Sequence, residues 1–201
     1  MDAIIVRITR TVASHPRLCI LSYLRYHGET IPTVLAKKLG MPLPTLSAHV
    51  KLLSVAGLAL SRKSGAKCYC SAASPYGSQT LSGQISEWLC TVLAKVRKGD
   101  KAQERSVHAV IFEAATAFTD LRRLQILRRL LTKGEATVDD LRNELSMSAD
   151  AVSRHTSKLR RRGYITVRKA ADGSLVFALA PTRKSAIHKR LFEIVQRAWE
   201  A

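Results

Sequence analysis

The chain has 201 residues, with 33 Lys and Arg against 15 Asp and Glu, a net charge of +18 and an isoelectric point of about 10.4. So large a cationic excess concentrates polyanions, DNA or RNA first among them. The few, scattered acidic residues leave no paired-carboxylate site, and no phosphate loop, nucleophile elbow or zinc-protease helix occurs, which argues against an enzyme.

In chain order, Ser14 or His15 starts a helix with Pro16 in its first turn, where a missing N–H costs nothing. Leu18, Ile20, Leu21 and Leu24 form its apolar stripe and Gly28 stops it. Thr30 is expected to cap a short helix over residues 31–39, with Val34, Leu35 and Leu39 facing inward. Gly40-Met41 is a turn, and Pro42 or Leu43 opens a third helix to about residue 55, buried through Leu46, Val50 and Leu53. Gly57 ends that helix in the left-handed region. Residues 58–62 and 68–72 read as strands around the basic tip 63–67. Residues 80–96 have helical spacing, and the polar stretch 97–102, with Gly99, places a linker at 98–105.

Residues 106–118 are again helical in spacing. Asp120 caps a helix over 121–131 that Gly134 closes, and Thr137 caps one over 138–145 with Asp139 and Asp140 in its first turn. Ser148 caps a third over 149–161, stopped by Gly163. Strands over 164–169 and 174–179 flank the turn 170–173, and residues 184–199 form a last helix. This order repeats the first half. At an offset of 106, Arg17, Leu18, Ile20, Leu21 and Leu24 fall on Arg123, Leu124, Ile126, Leu127 and Leu130. Gly28, Leu35, Leu39 and Met41 fall on Gly134, Leu141, Leu145 and Met147. Ser47, His49, Leu53, Gly57, Arg62 and Lys63 fall on Ser153, His155, Leu159, Gly163, Arg168 and Lys169. With 13 Lys and Arg against 4 Asp and Glu in residues 1–100, and 20 against 11 in residues 101–201, both copies are equally basic. The expectation is a mainly α chain with small β-hairpin wings, two tandem winged helix-turn-helix domains (1–97 and 106–201) forming a pseudo-dimer.

The third helix of each copy is the natural reading head. With Val152 and Leu159 buried, Ala149, Asp150, Ser153, Arg154, Ser157 and Lys158 face out, with His155 near the edge. Arg154 suits guanine O6 and N7, whereas Ser153, His155 and Lys158 suit phosphate or a single base contact, with Ser148 at the helix start and Arg160, Arg161 and Arg162 extending the positive face. The first copy departs from this pattern: Pro42 replaces the capping serine, Pro44 sits in the first turn and Ala48 stands where Arg154 does, leaving Thr45, Ser47, His49 and Lys51. His49 and His155 can equally be packing residues. The wings carry Arg62, Lys63 and Lys67, and Arg168 and Lys169, suited to phosphates or the minor groove.

His15-Pro16-Arg17-Leu18-x-Ile20-Leu21 and Met147-Ser148-x-x-x-Val152-Ser153-Arg154-His155, with Leu159 and Gly163 behind, resemble the ArsR family of bacterial winged-helix regulators over about 65 residues of each half. The resemblance implies a DNA-binding regulator, usually a homodimeric repressor that releases DNA on a metal or thiol signal. It also implies that the third helices enter the major groove. Here one chain supplies both halves, as a monomeric pseudo-dimer or a further homodimer, with double-stranded DNA as partner. The metal sites the resemblance implies do not transfer: residues 31–39 hold no cysteine and residues 184–199 offer only His188. Cys68 and Cys70 share a strand face, but two thiolates do not complete a zinc site. Cys19 and Cys90 lie on the two helices where thiol sensors of the family carry cysteines, although the first would be expected nearer Ser22. No metal and no cofactor are therefore expected.

Two other classes stay open, a plasmid replication, partition or architectural DNA-binding protein and a tandem winged-helix module for protein contacts. The N-terminus lacks a basic region followed by a long apolar stretch, and no apolar run approaches the roughly 20 residues of a membrane span. A cytoplasmic, nucleoid-associated protein with free thiols and no membrane partner is expected.

Overall fold

The computed structural model describes residues 1–200. It begins with a helix outside the repeated motifs, α1 (Asp2–Val12), whose Ile5, Val6, Ile8 and Val12 form one buried stripe. Next come α2 (His15–His27), α3 (Pro32–Leu39), α4 (Leu43–Val55), the hairpin β1 (Leu60–Ser64) and β2 (Lys67–Ser71), and α5 (Leu81–Leu93). The second half runs α6 (Lys101–Thr116), α7 (Leu121–Lys133), β3 (Ala136–Thr137), α8 (Val138–Leu145), α9 (Ala149–Arg161), β4 (Ile165–Lys169), β5 (Leu175–Leu179) and α10 (Ala186–Glu200). The bounds of α2, α3 and α4 and those of α7, α8 and α9 differ by 106 at both ends. The chain is mainly helical, with two small antiparallel sheets in the orders β1-β2 and β3-β5-β4.

Local chemistry sets most of these bounds. Asp120 accepts from the Arg122 and Arg123 amides, Ser148 accepts from the Ala151 amide, and Thr137 forms a capping box with Asp140. Thr30 does not cap α3. Ile31 holds that position without a side-chain bond, while the Thr30 and Cys70 backbones exchange hydrogen bonds of 3.0 and 2.8 Å. Pro32 presets the first turn and has no N–H to be capped, which leaves Thr30 free to extend the wing. The first hairpin is tighter than expected, turning at Gly65 and Ala66; Gly65 takes a φ of 57°, open to glycine without strain. Gly57, with a φ of 69°, has a second constraint, because a Cβ there would meet the Tyr76 ring at 2.6 Å.

The expected linker is partly helix. Asp100 accepts from the Gln103 amide and starts α6 at Lys101, inside residues 98–105. The halves also share their core. One cluster of buried side chains runs from Ile5 of α1 to Val195 of α10, and the Phe118, Tyr164 and Phe192 rings pack on one another within it. In that cluster α1 packs on α6 and α7, and α10 packs on α5 and α6. Thr9 Oγ1 donates to the Phe118 carbonyl at 3.0 Å and Arg10 Nε to that of Thr119 at 2.8 Å. At the far ends of the chain, Trp199 Nε1 donates to Asp2 at 2.9 Å. One core thus holds the two halves together and positions the surface described next.

Candidate nucleic-acid interface

Helix α9 has a clean division of faces. Val152 and Leu159 are fully buried, while Ala149, Asp150, Ser153, Arg154, Lys158, Arg160 and Arg161 are exposed and Ser157 is half-buried. Among the described residues no carboxylate pairs with Arg154, Lys158, Arg160 or Arg161, so their charge is free for an anion. Arg162 is turned away, half-buried and 3.6 Å from Glu113 of α6. Helix α4 buries Leu46, Val50 and Leu53 as its spacing required, but its open face differs in kind. Thr45, Ser47 and Lys51 are exposed beside Leu43 and Leu52, and Lys51 is its one cation.

The histidines of α4 and α9 do not belong with these residues. His155 is 6% exposed and its Nδ1 lies 3.6 Å from Asp120, the cap of α7. Burial lowers its pKa more than Asp120 raises it, so the ring is neutral and packs α9 onto α7. His49 is half-buried in the matching place, and burial with Arg17 nearby lowers it too. A position at the edge of a helical stripe can turn either way, and here the inward contact wins.

In the wings, Arg62, Lys63 and Lys67 and Arg168 and Lys169 are all exposed, yet two of the five are already paired. Arg62 donates to both Glu29 carboxylate oxygens, at 2.7 and 2.5 Å, and Arg168 to both of Glu135, at 3.4 and 2.5 Å. Glu29 and Glu135 are themselves 106 residues apart, one more identity between the two halves. The free wing charges are therefore Lys63, Lys67 and Lys169.

The cysteines are reduced and separately placed. Cys90 Sγ points to the Ala72 carbonyl at 3.9 Å, whereas Cys19 Sγ lies 3.6 Å from His15 Nε2. Burial pushes both thiols up, away from the thiolate that a sensor needs. Cys70 is sealed under the wing with its thiol raised to about 11, and Cys68 is exposed. The three side chains His15, Cys19 and His108 are near enough to share one metal ion.

Comparison with known proteins agrees with this geometry. Residues 122–177, which run from α7 through α9 to the second wing, match the family of the winged helix DNA-binding domain. The transcriptional activator HlyU of Vibrio cholerae serotype O1 is 34% identical over 96 residues, 48% of this chain and 85% of that protein. The chain belongs to the winged-helix DNA-binding family. No solved structure matches it. In a winged helix the helix after the turn presents its open face to DNA and the hairpin flanks it. The family placement thus covers α9 and the β4–β5 wing directly. No helix among the described residues is long and apolar enough to cross a membrane.

Proposed function

We propose that the chain is a sequence-specific, double-stranded DNA-binding transcription regulator of ArsR type in which a tandem duplication places both halves of a dimer in one polypeptide. The observation that carries this reading is the equal offset of 106 between α2, α3, α4 and α7, α8, α9, joined by one core. α1 would then be the counterpart of α6 and α5 that of α10, and these are the helices that pack across the halves. In this reading α4 and α9 lie in successive major grooves about 34 Å apart. α9 reads sequence through Arg154, with Ser148, Ser153 and Lys158 on flanking phosphates. α4 docks through Thr45, Ser47 and Lys51 and contributes less base discrimination, so the operator is an uneven palindrome. Lys63, Lys67 and Lys169 grip the backbone from the wings.

The ArsR resemblance favours repression, while the Vibrio cholerae relative is named an activator. A reporter fused to the bound promoter reads the sign directly. Selection of random duplexes by the purified chain tests the reading as a whole. Two unequal half-sites one helical turn apart support it. A single half-site, or retention without enrichment that is lost steeply on added salt, overturns the paired heads and leaves an architectural or scaffold protein.

A further inference from the structure

His15 and Cys19 stand one turn apart on α2, so both side chains leave the same face of the helix. His108 of α6 meets that face from the other half of the chain. One ligand atom from each of the three lies within 4.8 Å of the other two, and the His15 and His108 rings meet edge to face with centroids 5.4 Å apart. His108 is 1% exposed, and only one of its nitrogens is occupied: Nε2 bonds Ser22 Oγ at 2.7 Å, while Nδ1 has no partner. A buried imidazole nitrogen without a partner is costly, and a cation is one means of satisfying it. Glu104 Oε1 stands 3.9 Å from His108 Nε2.

We propose that His15, Cys19 and His108 bind a single zinc-class divalent cation that pins α2 of the first half to α6 of the second, with a water completing four-coordination. Two imidazoles and a thiolate suit a borderline-soft ion in a tetrahedral site. Burial and the neighbouring His15 keep His108 neutral, its pKa lowered to about 4, so it offers a lone pair without losing a proton. The Cys19 thiol gives up its proton to solvent as the sulfur–metal bond forms. Exposed His15 is the entry side, and Ser22 holds the ring of His108 in place as an outer partner orients a metal-bound histidine.

The site occurs once. The positions related to His15, Cys19 and His108 by 106 residues are Leu121, Gln125 and Asp2, which lack both the imidazoles and the thiol. It also differs from the cysteine pair and the last-helix set that the family resemblance implied. An ion held here would clamp the halves beside α2, the helix on which α4 packs.

Cobalt titration of the reduced, metal-free full chain tests the proposal. The expected result is a thiolate-to-cobalt charge-transfer band that saturates at one ion per chain and is displaced by zinc. Cys19→Ser abolishes the band, while Cys68→Ser, Cys70→Ser and Cys90→Ser keep it. Exposed His15→Ala weakens binding about tenfold or more without unfolding the chain, which guards against a His108→Gln variant that fails to fold. Absence of the band, or a band that survives Cys19→Ser and vanishes with Cys68 and Cys70, overturns the assignment.

Discussion

Arg123 Nε donates to the Ala117 carbonyl at 3.0 Å, and its Nη2 reaches the Thr116 carbonyl at 2.9 Å, closing the C-terminal end of α6 from the first turn of α7. Arg17 does the same for α1, with bonds of 2.6 Å to Thr11 and 2.9 Å to Arg10. Both acceptors obey the 106 offset. A cation on the last carbonyls of a helix satisfies orphan acceptors and opposes the dipole. Because α1 and α6 pack on each other, the two arginines tie α2 and α7 to the shared core.

Arg123→Ala is accordingly expected to destabilise the fold by about 2–3 kcal/mol, since it strips charge-assisted bonds from a site only 5% exposed. Arg17→Ala, half-exposed, should cost about 1 kcal/mol. Urea melts of both variants check the order. Equal and negligible losses would show that the helix ends are held by something else.

The paired wing arginines predict a gain in binding from removing an acid. Glu29→Gln and Glu135→Gln release Arg62 and Arg168 to phosphate, so affinity for any duplex should rise. The slope of log K against log salt should steepen by about 1 for each arginine freed. Lys169→Ala should do the reverse, weakening all duplexes alike. Stability should barely change, because exposed ion pairs contribute little. Fluorescence anisotropy at three salt concentrations decides it, and an unchanged slope in both Gln variants would remove the wings from the interface.

How far the sequence carries this picture depends on the distance over which each feature acts. The caps Asp120, Thr137 and Ser148 act within one turn, and the stripes of α4 and α9 within one helix, so they are legible residue by residue. The Arg62 pairing with Glu29 spans 33 residues and becomes visible only when the hairpin closes on the turn before α3. Ser22 and His108 lie 86 residues apart, so the metal-binding cluster depends on how the halves pack. The stripe of α1 carries no motif, although that helix supplies much of the contact between halves. The inward turn of His155 was open for a related reason. A helical period locates the edge of a face but not which neighbour stands there, and here the neighbour is Asp120.

In the proposed reading, base recognition on α9 rests on one side chain. Arg154→Ala should relax preference at one base pair by about 1–3 kcal/mol while leaving non-specific affinity nearly intact. The converse variant, Ala48→Arg, places a guanidinium at the matching position of α4 and should sharpen the weaker half-site. Competition between wild-type and shuffled duplexes measures both. Unchanged preference in Arg154→Ala would take from α9 the reading role proposed for it.

Two buried histidines outside the metal cluster give the fold a pH dependence of definite sign. His155 faces Asp120, Arg123, Arg154 and Lys158; His188 faces Glu113, Lys184 and Arg162 and bonds Ser185 Oγ through Nδ1 at 2.9 Å. Burial lowers both below the ordinary value of 6.5. Below that value the unfolded chain takes up protons that the folded chain refuses, so stability is full above it and falls as the pH drops toward the lowered folded values. Thermal melts of the chelator-treated protein through this range, in which metal-free His108 adds to the same trend, should show a falling midpoint before any carboxylate titrates. His155→Asn and His188→Asn should each flatten the slope. A midpoint that rises on acidification would mean that Asp120 and Glu113 outweigh burial and hold both rings charged.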